Sequence, residues 1–248
     1  MIIIKTPDEI RKMRESGRIA ARVRDELAAL VAPGVTTREL DRKAAKLIES
    51  FGAKSAFLGY HGYPGTVCIS IDAEVVHGIP GDRRIEMGEI VSLDIGVIYD
   101  GFVGDTATTV MVGVTDPDVV RLVRSTEQAL VAGVAMARDG KRLGDLSHAI
   151  EEVAVRAGFS VVRDFVGHGI GRKMHEDPQI PNFGTPGRGP KLKVGMTLAI
   201  EPMVNLGGSA VNVLPDGWTV RTADGKPSAH FEHTVVIGED GPEIVTAV

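Results

Sequence analysis

The sequence predicts an α+β fold made of two similar halves. Two amphipathic helix patterns followed by strand-like runs occur in residues 1–112 and again in residues 113–248. Leu40 and Gly52 of the first pair of helices have counterparts at the same separation, Leu146 and Gly158, in the second pair. We interpret this as a weak internal duplication within a single domain spanning residues 1–248, with chance spacing as the alternative.

Capping signals mark where the predicted helices begin. Thr6 and Glu9 have the spacing of a capping box, with Pro7 at the first helical position, and Thr36 and Glu39 repeat that spacing. A glycine follows each helical pattern and ends it. The predicted helices cover about residues 6–31, 36–52, 116–138 and 145–158.

Runs rich in β-branched residues predict the strands between these helices. They cover residues 66–71, 90–98, 102–112, 161–166, 197–204 and 231–237. Two segments rich in turn-forming residues, 184–195 and 205–228, are predicted to be surface loops that border a site. The second of them contains the only tryptophan, Trp218.

The composition is that of a globular protein and argues against several classes of function. Hydrophobic residues make up 43% and charged residues 25%, and no apolar run is long enough to cross a membrane. A net charge of −5 gives no basic surface for nucleic acid or an anionic membrane. The single cysteine, Cys68, cannot form an internal disulfide, which suits a reducing cytosol. We therefore predict a cytoplasmic protein that binds neither nucleic acid nor membranes. Nothing in the sequence demands more than a monomer.

Two aspartates lie on the two strands of a predicted hairpin. Asp100 and Gly101 are a two-residue turn signal between long strand-like runs. With these residues in the turn, Asp94 faces Ala107, and Asp105 is its diagonal neighbour on the same face at roughly 7 to 8 Å. Two carboxylates on apolar strands repel each other and resist burial, which a bound cation would relieve. The alternative is a solvated strand face that carries two ordinary aspartates.

Three further residues have the chemistry of metal ligands. His168 lies among glycines directly after a predicted strand, a setting that exposes the imidazole, although a histidine in a glycine turn is more often structural. Glu201 ends one predicted strand and Glu232 opens another. With Asp94 and Asp105 they form an oxygen-rich set suited to manganese, iron(II), cobalt or zinc. Because five ligands exceed what one catalytic zinc needs, we predict two divalent metal ions that share bridging carboxylates.

Two more histidines are candidates for contact with a substrate. His77 lies where a strand-like run enters a turn, and His175 follows the glycine-rich segment. A surface position in a turn is an equally good interpretation of each. Cys68 lies in an apolar run and is interpreted as a core residue rather than a nucleophile. The sequence contains neither a phosphate-binding glycine loop nor a serine nucleophile elbow.

Over essentially its whole length the chain resembles the type I methionine aminopeptidases. The order and spacing of short segments carry the resemblance. They are residues 60–64 (YHGYP), 75–80 (VVHGIP), 93–96 (LDIG), 104–107 (GDTA), 167–171 (GHGIG), 174–178 (MHEDP), 200–202 (IEP) and 231–234 (FEHT).

The resemblance implies a pita-bread fold that forms one catalytic domain. This fold has two pseudo-symmetric halves, each with helices outside a curved antiparallel sheet, and the metals lie between the halves. It implies that Asp94, Asp105, His168, Glu201 and Glu232 bind the metals, and that Asp105 and Glu232 reach both ions. His77 and His175 would contact the substrate. The implied pocket for a methionine side chain contains Tyr60, His61, Tyr63, Cys68 and Trp218. Met174 stands where the family has phenylalanine.

The implied reaction is hydrolysis of the first peptide bond of a protein that begins with methionine. A hydroxide bridging the two metals would attack the carbonyl while Glu201 transfers the proton, His175 supports the oxyanion and His77 supports the scissile amide. The implied substrates are the N-termini of nascent or newly made polypeptides whose second residue is small. That substrate class suggests association with ribosomes, although the sequence has no basic tail to support it.

Two other functions remain open at this point. A pita-bread hydrolase of different specificity, such as an Xaa-Pro dipeptidase, would keep the metal ligands and change the pocket. A binding protein that has lost catalysis on the same fold would take up metal without cleaving any peptide.

Overall fold

The structure, a computed structural model, describes residues 1–247. Within this range the chain forms four α-helices, fifteen β-strands and a short 3₁₀ turn at Tyr60–Gly62. The helices are α1 (Pro7–Ala28), α2 (Thr37–Ser50), α3 (Pro117–Met136) and α4 (Leu143–Arg156). The strands are β1 (Lys54–Ser55), β2 (Cys68–Ile71), β3 (Glu74–Val76), β4 (Ile90–Tyr99), β5 (Phe102–Met111), β6 (Ser160–Val161), β7 (Gly167–Gly169), β8 (Glu176–Ile180), β9 (Thr197–Ile200), β10 (Met203–Asn205), β11 (Val211–Val213), β12 (Val220–Thr222), β13 (Ser228–His230), β14 (Glu232–Ile237) and β15 (Pro242–Ile244).

A nine-stranded sheet forms the centre of the molecule. Seven of its strands follow the order β1-β4-β5-β14-β9-β7-β8, while β2 also pairs with β4 and β15 pairs with β14. All of these pairings are antiparallel. Two three-stranded sheets, β13-β10-β6 and β11-β12-β3, accompany it. The predicted α+β class is therefore confirmed.

The helices pack against the sheet in two pairs, each with its own apolar cluster. Residues of α1 and α2 share a cluster with Leu93 and Ile95 of β4, and residues of α3 and α4 share one with Leu198 and Ile200 of β9. Successive strand residues point to opposite faces of a sheet. Asp94, between Leu93 and Ile95, therefore points away from the helices, and the opposite face of the sheet is left for polar groups.

The four predicted helices are confirmed, with small changes at their ends. Both capping boxes form, because Thr6 N donates to the Glu9 carboxylate at 2.9 Å and Thr36 N donates to the Glu39 carboxylate at 2.7 Å. α1 ends at Ala28, short of the predicted end near residue 31, and α4 begins two residues before the predicted position.

Two strand predictions and one loop prediction need correction. Residues 162–166 form no strand, because the chain bends at residues 163–165, directly after the hydrogen bond from Val162 N to Met203 O at 2.9 Å. The predicted strand 197–204 is two strands, because Pro202 has no N–H with which to continue the ladder. The predicted loop 205–228 contains the hairpin of β11 and β12. The short strands β1, β7, β8, β13 and β15 also lie outside the predicted ones, whereas β3 is the strand expected before His77.

Gly104 allows α1 to approach β5 closely. A Cβ atom on Gly104 would lie 2.6 Å from Ser16 O and from Gly17 N. The Gly104→Ala variant is therefore expected to lower the free energy of unfolding by about 2 kcal/mol, the usual cost of overpacking a backbone contact. Urea unfolding followed by circular dichroism measures the change. Gly81→Ala is the matched control, because the nearest atom to its Cβ lies 4.0 Å away, and an equal loss in both variants would contradict this explanation.

Among residues 1–247, none of the helices combines the length and apolar character that a membrane crossing requires.

Candidate metal site and substrate pocket

Neighbouring strands of the large sheet each contribute one of the five predicted metal ligands. Asp94 lies on β4, Asp105 on β5, Glu232 on β14 and His168 on β7, and Glu201 directly follows β9. These five strands are consecutive in the sheet order β4-β5-β14-β9-β7. Residues that are up to 138 positions apart in number thus meet on one face because the strands that carry them are side by side.

The hairpin register was predicted correctly. Asp94 pairs with Ala107, and Asp105 pairs with Gly96. Glu232 pairs with the same Ala107 from the other side. The carboxylates of Asp94, Asp105 and Glu232 therefore lie around Ala107 of β5. The register of the hairpin alone brings Asp94 and Asp105 together, which is why the sequence predicted those two as neighbours.

Short distances join the ligand side chains. His168 Nε2 lies 3.4 Å from Glu201 Oε1 and 3.9 Å from Asp105 Oδ2. Ligand atoms of Asp105, His168 and Glu232 all lie within 4.8 Å of one another. The Thr234 hydroxyl accepts from Asp105 N at 3.1 Å and donates to Asp105 O at 2.8 Å. These two hydrogen bonds join β5 to β14 beside Asp105 and Glu232, the two residues expected to bind both metals.

His168 is more enclosed than the sequence suggested. It lies within β7 rather than in a turn after a strand, and only 6% of it is exposed because β8 and β9 flank it. The expectation of an exposed imidazole was therefore wrong. Its Nδ1 lies 2.9 Å from Gly169 O. When Nδ1 donates to that carbonyl, Nε2 faces the carboxylates with a free electron pair, as a metal ligand must.

Burial shifts the acid–base properties of the cluster. It raises the pKa of Asp94 to about 7 and that of Glu201 to about 8. Burial and the neighbouring negative charges raise the pKa of Asp105 and of Glu232 well above the usual range. The pKa of His168 falls to about 3 because burial disfavours the imidazolium. A neutral imidazole is the form that binds metal ions.

The residues present fit a divalent metal centre. Asp94 Oδ1, Asp105 Oδ1 and Glu232 Oε1 are buried, and no described residue makes a hydrogen bond to them. Buried carboxylates without partners are costly unless a cation compensates them. Oxygen ligands with one imidazole suit hard or borderline divalent ions, and an imidazole with several carboxylates resembles a catalytic rather than a thiolate structural site.

The two candidate substrate histidines line the same cavity as this cluster. His175 has its ring 4.3 Å from the ring of His168, and its Nδ1 lies 2.7 Å from the Tyr60 hydroxyl. His77 follows β3 in a left-handed conformation with φ of 61°. A side chain at positive φ is uncommon and is often found where function requires it. Burial lowers the pKa of His77 to about 4, so that its ring is neutral near pH 7.

A narrow cavity of 120 Å³ opens beside the carboxylates. Tyr63 and Trp218 form one wall, with their rings 5.1 Å apart in an edge-to-face contact. Cys68, Met174 and Tyr60 also line it, together with His77, His175 and all five ligand candidates. His61 is the predicted pocket residue that does not line the cavity, because it is exposed and packs against the outer side of Tyr60.

Two residues of this region were not predicted from the sequence. His230 is buried, with its Nε2 3.6 Å from Glu201 Oε2, and Phe165 contacts His77 with the ring centroids 5.7 Å apart. The position of His230 two residues before Glu232 was an available signal, because residues two apart in extended chain share a face. Phe165 gave no such signal, because it lies in the segment wrongly predicted to be a strand.

The fold and the carboxylate site are those of a metallopeptidase. A family model described as metallopeptidase family M24 matches residues 11–239. Methionine aminopeptidase 1 of Bacillus subtilis is 50% identical over 248 residues, which cover 100% of both chains. The chain therefore belongs to metallopeptidase family M24 and, within it, to the methionine aminopeptidases.

Solved structures agree with this assignment. A methionine aminopeptidase from Thermotoga maritima matches with a TM-score of 0.98 and 48% identity, and 100% of each chain is covered. A prolidase from Pyrococcus furiosus matches with a TM-score of 0.81 and 25% identity, over 99% of this chain and 66% of that one. The pita-bread fold expected from the resemblance, with its curved antiparallel sheet and outer helices, is confirmed.

Proposed function

We propose that this chain removes the N-terminal methionine from newly made proteins whose second residue is small. One observation carries the proposal: five adjacent strands direct four carboxylates and an imidazole to the end of a narrow cavity of 120 Å³. The cluster provides the hydrolytic chemistry, and the cavity has room for a single side chain.

Asp94, Asp105, His168, Glu201 and Glu232 would hold two divalent ions in this proposal, drawn from manganese, iron(II), cobalt and zinc. Asp105 and Glu232 would bind both ions, because they lie on the paired strands β5 and β14 at the centre of the cluster. When bound, the metals would increase the acidity of a water molecule and polarise the scissile carbonyl.

Glu201 is assigned the transfer of the proton. It follows β9 at the edge of the cavity, and 14% of its side chain remains exposed, unlike the fully enclosed Glu232. Its carboxylate would accept a proton from the attacking water and deliver it to the nitrogen of the leaving peptide. General acid–base catalysis of this kind contributes about 10²- to 10⁴-fold to a rate.

His175 and His77 are assigned to the two ends of the scissile amide. The Tyr60 hydroxyl is within hydrogen-bond distance of His175 Nδ1, and donation by Tyr60 leaves the hydrogen on Nε2, free to support the developing oxyanion. His77 is held between Phe165 and Trp218, with ring centroids 5.7 Å and 6.2 Å away. It would contact the amide nitrogen from the opposite wall.

The side-chain specificity follows from the cavity walls. Tyr63, Cys68, Met174 and Trp218 surround a space of 120 Å³ with apolar and sulfur-containing groups. An unbranched thioether fits such a space, and sulfur makes favourable contacts with aromatic rings. His61, which lies outside the cavity, is assigned to its outer rim.

The remaining parts of the proposal concern the setting of the enzyme. Its substrates would be the N-termini of nascent polypeptides in the cytoplasm, met at or near the ribosome. We propose that the enzyme acts as a monomer and as one catalytic domain, residues 1–248, with pseudo-repeats of about 1–112 and 113–248. In this proposal the enzyme makes no direct contact with nucleic acid or membranes.

The test is the release of free amino acid from Met-Ala-Ser, with Leu-Ala-Ser and an Xaa-Pro dipeptide as controls. The metal-stripped enzyme is titrated separately with manganese, iron(II), cobalt and zinc. Metal-dependent release from Met-Ala-Ser alone is the expected result, because the methionine sulfur makes favourable contacts with the aromatic wall of the cavity and leucine has no such group. Preferred cleavage of the Xaa-Pro dipeptide would favour dipeptidase activity, and metal binding without cleavage would favour a binding protein.

A further inference from the structure

Lys5 and Glu176 form a buried ion pair close to the site that has no part in the chemistry described so far. Lys5 Nζ is 2.6 Å from Glu176 Oε2, and the two side chains are only 3% and 4% exposed. Ion pairs between charged side chains are usually solvated, and burial of both partners is costly unless further hydrogen bonds complete the arrangement. This pair therefore needs an explanation beyond its charge.

The Glu176 carboxylate serves two donors, one with each oxygen. Oε2 accepts from Lys5 Nζ, and Oε1 accepts from the backbone N–H of Lys173 at 3.3 Å. The second contact closes the segment 173–176, which contains His175. A single charged group thus links the N-terminal segment of the chain to the loop that carries this histidine.

One end of the link lies in the large sheet, and the other is bonded to the turn that precedes β9. Lys5 N donates to Gly195 O at 2.8 Å, shortly before β9. Glu176 pairs with Gly169, the neighbour of His168, across β7 and β8. Lys5 is therefore fixed on one side and Glu176 on the other, and the ion pair spans the space between them.

The lack of a side chain at Gly171 leaves the space that the ion pair occupies. A Cβ atom on Gly171 would lie 2.6 Å from Lys5 Cε and 2.7 Å from Glu176 Oε1. Gly171 O accepts from Val103 N at 2.8 Å, so that the loop cannot simply move away from β5. The side chains and the loop are packed as one unit.

The His175 ring packs against His168 and Tyr60 but has few polar contacts. Among the described residues its ring makes one hydrogen bond, to the Tyr60 hydroxyl, and Tyr60 lies in a short 3₁₀ turn. We propose that the buried Lys5–Glu176 ion pair is a positioning device that fixes the loop 171–176 and thereby sets the place of His175 in the site. This inference rests on the proposed function, in which His175 faces the scissile carbonyl.

The test removes both charges together, with Lys5→Met and Glu176→Leu in the full chain, because a lone buried charge would itself destabilise the fold. With manganese-loaded enzyme and Met-Ala-Ser, we expect kcat to fall about 10- to 100-fold, the usual result of moving a catalytic group by about 1 Å. KM and manganese affinity should stay within about threefold, since the pocket and ligands keep their places. An unchanged kcat would overturn the proposal.

The matched control removes a surface ion pair, with Arg14→Met and Glu243→Leu. These side chains are 51% and 41% exposed and lie at 2.6 Å, and their removal should leave kcat unchanged. If the Lys5/Glu176 variant does not fold, Glu176→Gln decides the question, because one amide oxygen cannot serve both Lys5 and Lys173 N. It should lower kcat about threefold or more, and full activity of a folded Glu176→Gln variant would overturn the proposal.

A thermodynamic cycle separates positioning from a general structural role. In the His175→Ala background, removal of the pair should lower kcat by less than about twofold, because the group that it positions is gone. Equal losses in both backgrounds would mean that the pair does not act through His175.

If the unmodified enzyme releases no methionine, that result contradicts the proposed function but not the positioning role of the ion pair. The imidazole NMR signals of His175, identified by their loss in His175→Ala, then report its placement without activity. They should shift or broaden in the Lys5→Met, Glu176→Leu variant and stay unchanged in the surface-pair control. Unchanged signals in both would overturn the positioning role.

Discussion

Glu201→Gln is expected to lower kcat for methionine release by about 10²- to 10⁴-fold, the contribution of a general acid–base group. The amide keeps the size and one acceptor oxygen of the carboxylate, but it cannot take a proton from water. Steady-state release from Met-Ala-Ser measures the effect. The assay must be done at saturating metal, because Glu201 also lies 3.4 Å from His168 Nε2 and belongs to the proposed ligand set.

Glu152→Gln makes the same chemical change on the surface of α4, where Glu152 pairs with Arg156, and it should leave kcat unaltered. Circular dichroism should show that both variants are folded. A metal-saturated Glu201→Gln enzyme that retains kcat within about tenfold of the unmodified enzyme would fall short of the expected range and remove Glu201 from the proton transfer.

Asp105→Asn is expected to have opposite effects on the metal-free and the metal-loaded protein. Without metal, burial and the neighbouring carboxylates disfavour the ionised form of Asp105, which the unfolded chain favours at neutral pH. An amide carries no such cost, so the melting temperature should rise. In the unmodified protein, metal at about 100 times Kd should add about 2.7 kcal/mol to the free energy of unfolding. The variant should lose most of that gain and release no methionine, because Asp105 lies at the centre of the cluster.

Thermal unfolding with and without manganese measures both effects. The control is Asp139→Asn, at an exposed position in the loop after α3, which should leave the metal-induced stabilisation intact. A metal-free Asp105→Asn protein that melts below the unmodified chain would show that the carboxylate stabilises the fold by itself. Such a result would contradict the view that a cation must compensate the cluster.

Local patterns predicted half of the carboxylate cluster directly. The turn at Asp100 and Gly101 sets the register of β4 and β5, so that Asp94 and Asp105 are neighbours by arithmetic. Glu201 and Glu232 stood out because each is an acid at the end of an apolar strand. What the patterns could not show is that β14 pairs with β5 and with β9, since pairings between distant segments leave no local signal.

The errors in the strand predictions have the same origin. Residues 161–166 have the composition of a strand. Beyond the hydrogen bond from Val162 N to Met203 O, however, the rest of the run pairs with no other strand. Residues 205–228 look like a loop, yet β11 and β12 pair there and β12 also pairs with β3. Strand propensity describes a half-buried surface, and whether a partner is present depends on the rest of the fold.

The sequence by itself determined the helices, the central hairpin, the oxygen-rich ligand set and, through its short segments, the resemblance to a family. Those features depend on neighbours in the chain, on capping residues and on the chemistry of individual side chains. Only the tertiary structure decided that His168 is buried, that His230 lies beside Glu201, that His61 stays outside the cavity and that Lys5 meets Glu176. Each of these depends on which strands and loops pack together, because burial and contact between distant residues are properties of the assembled sheet.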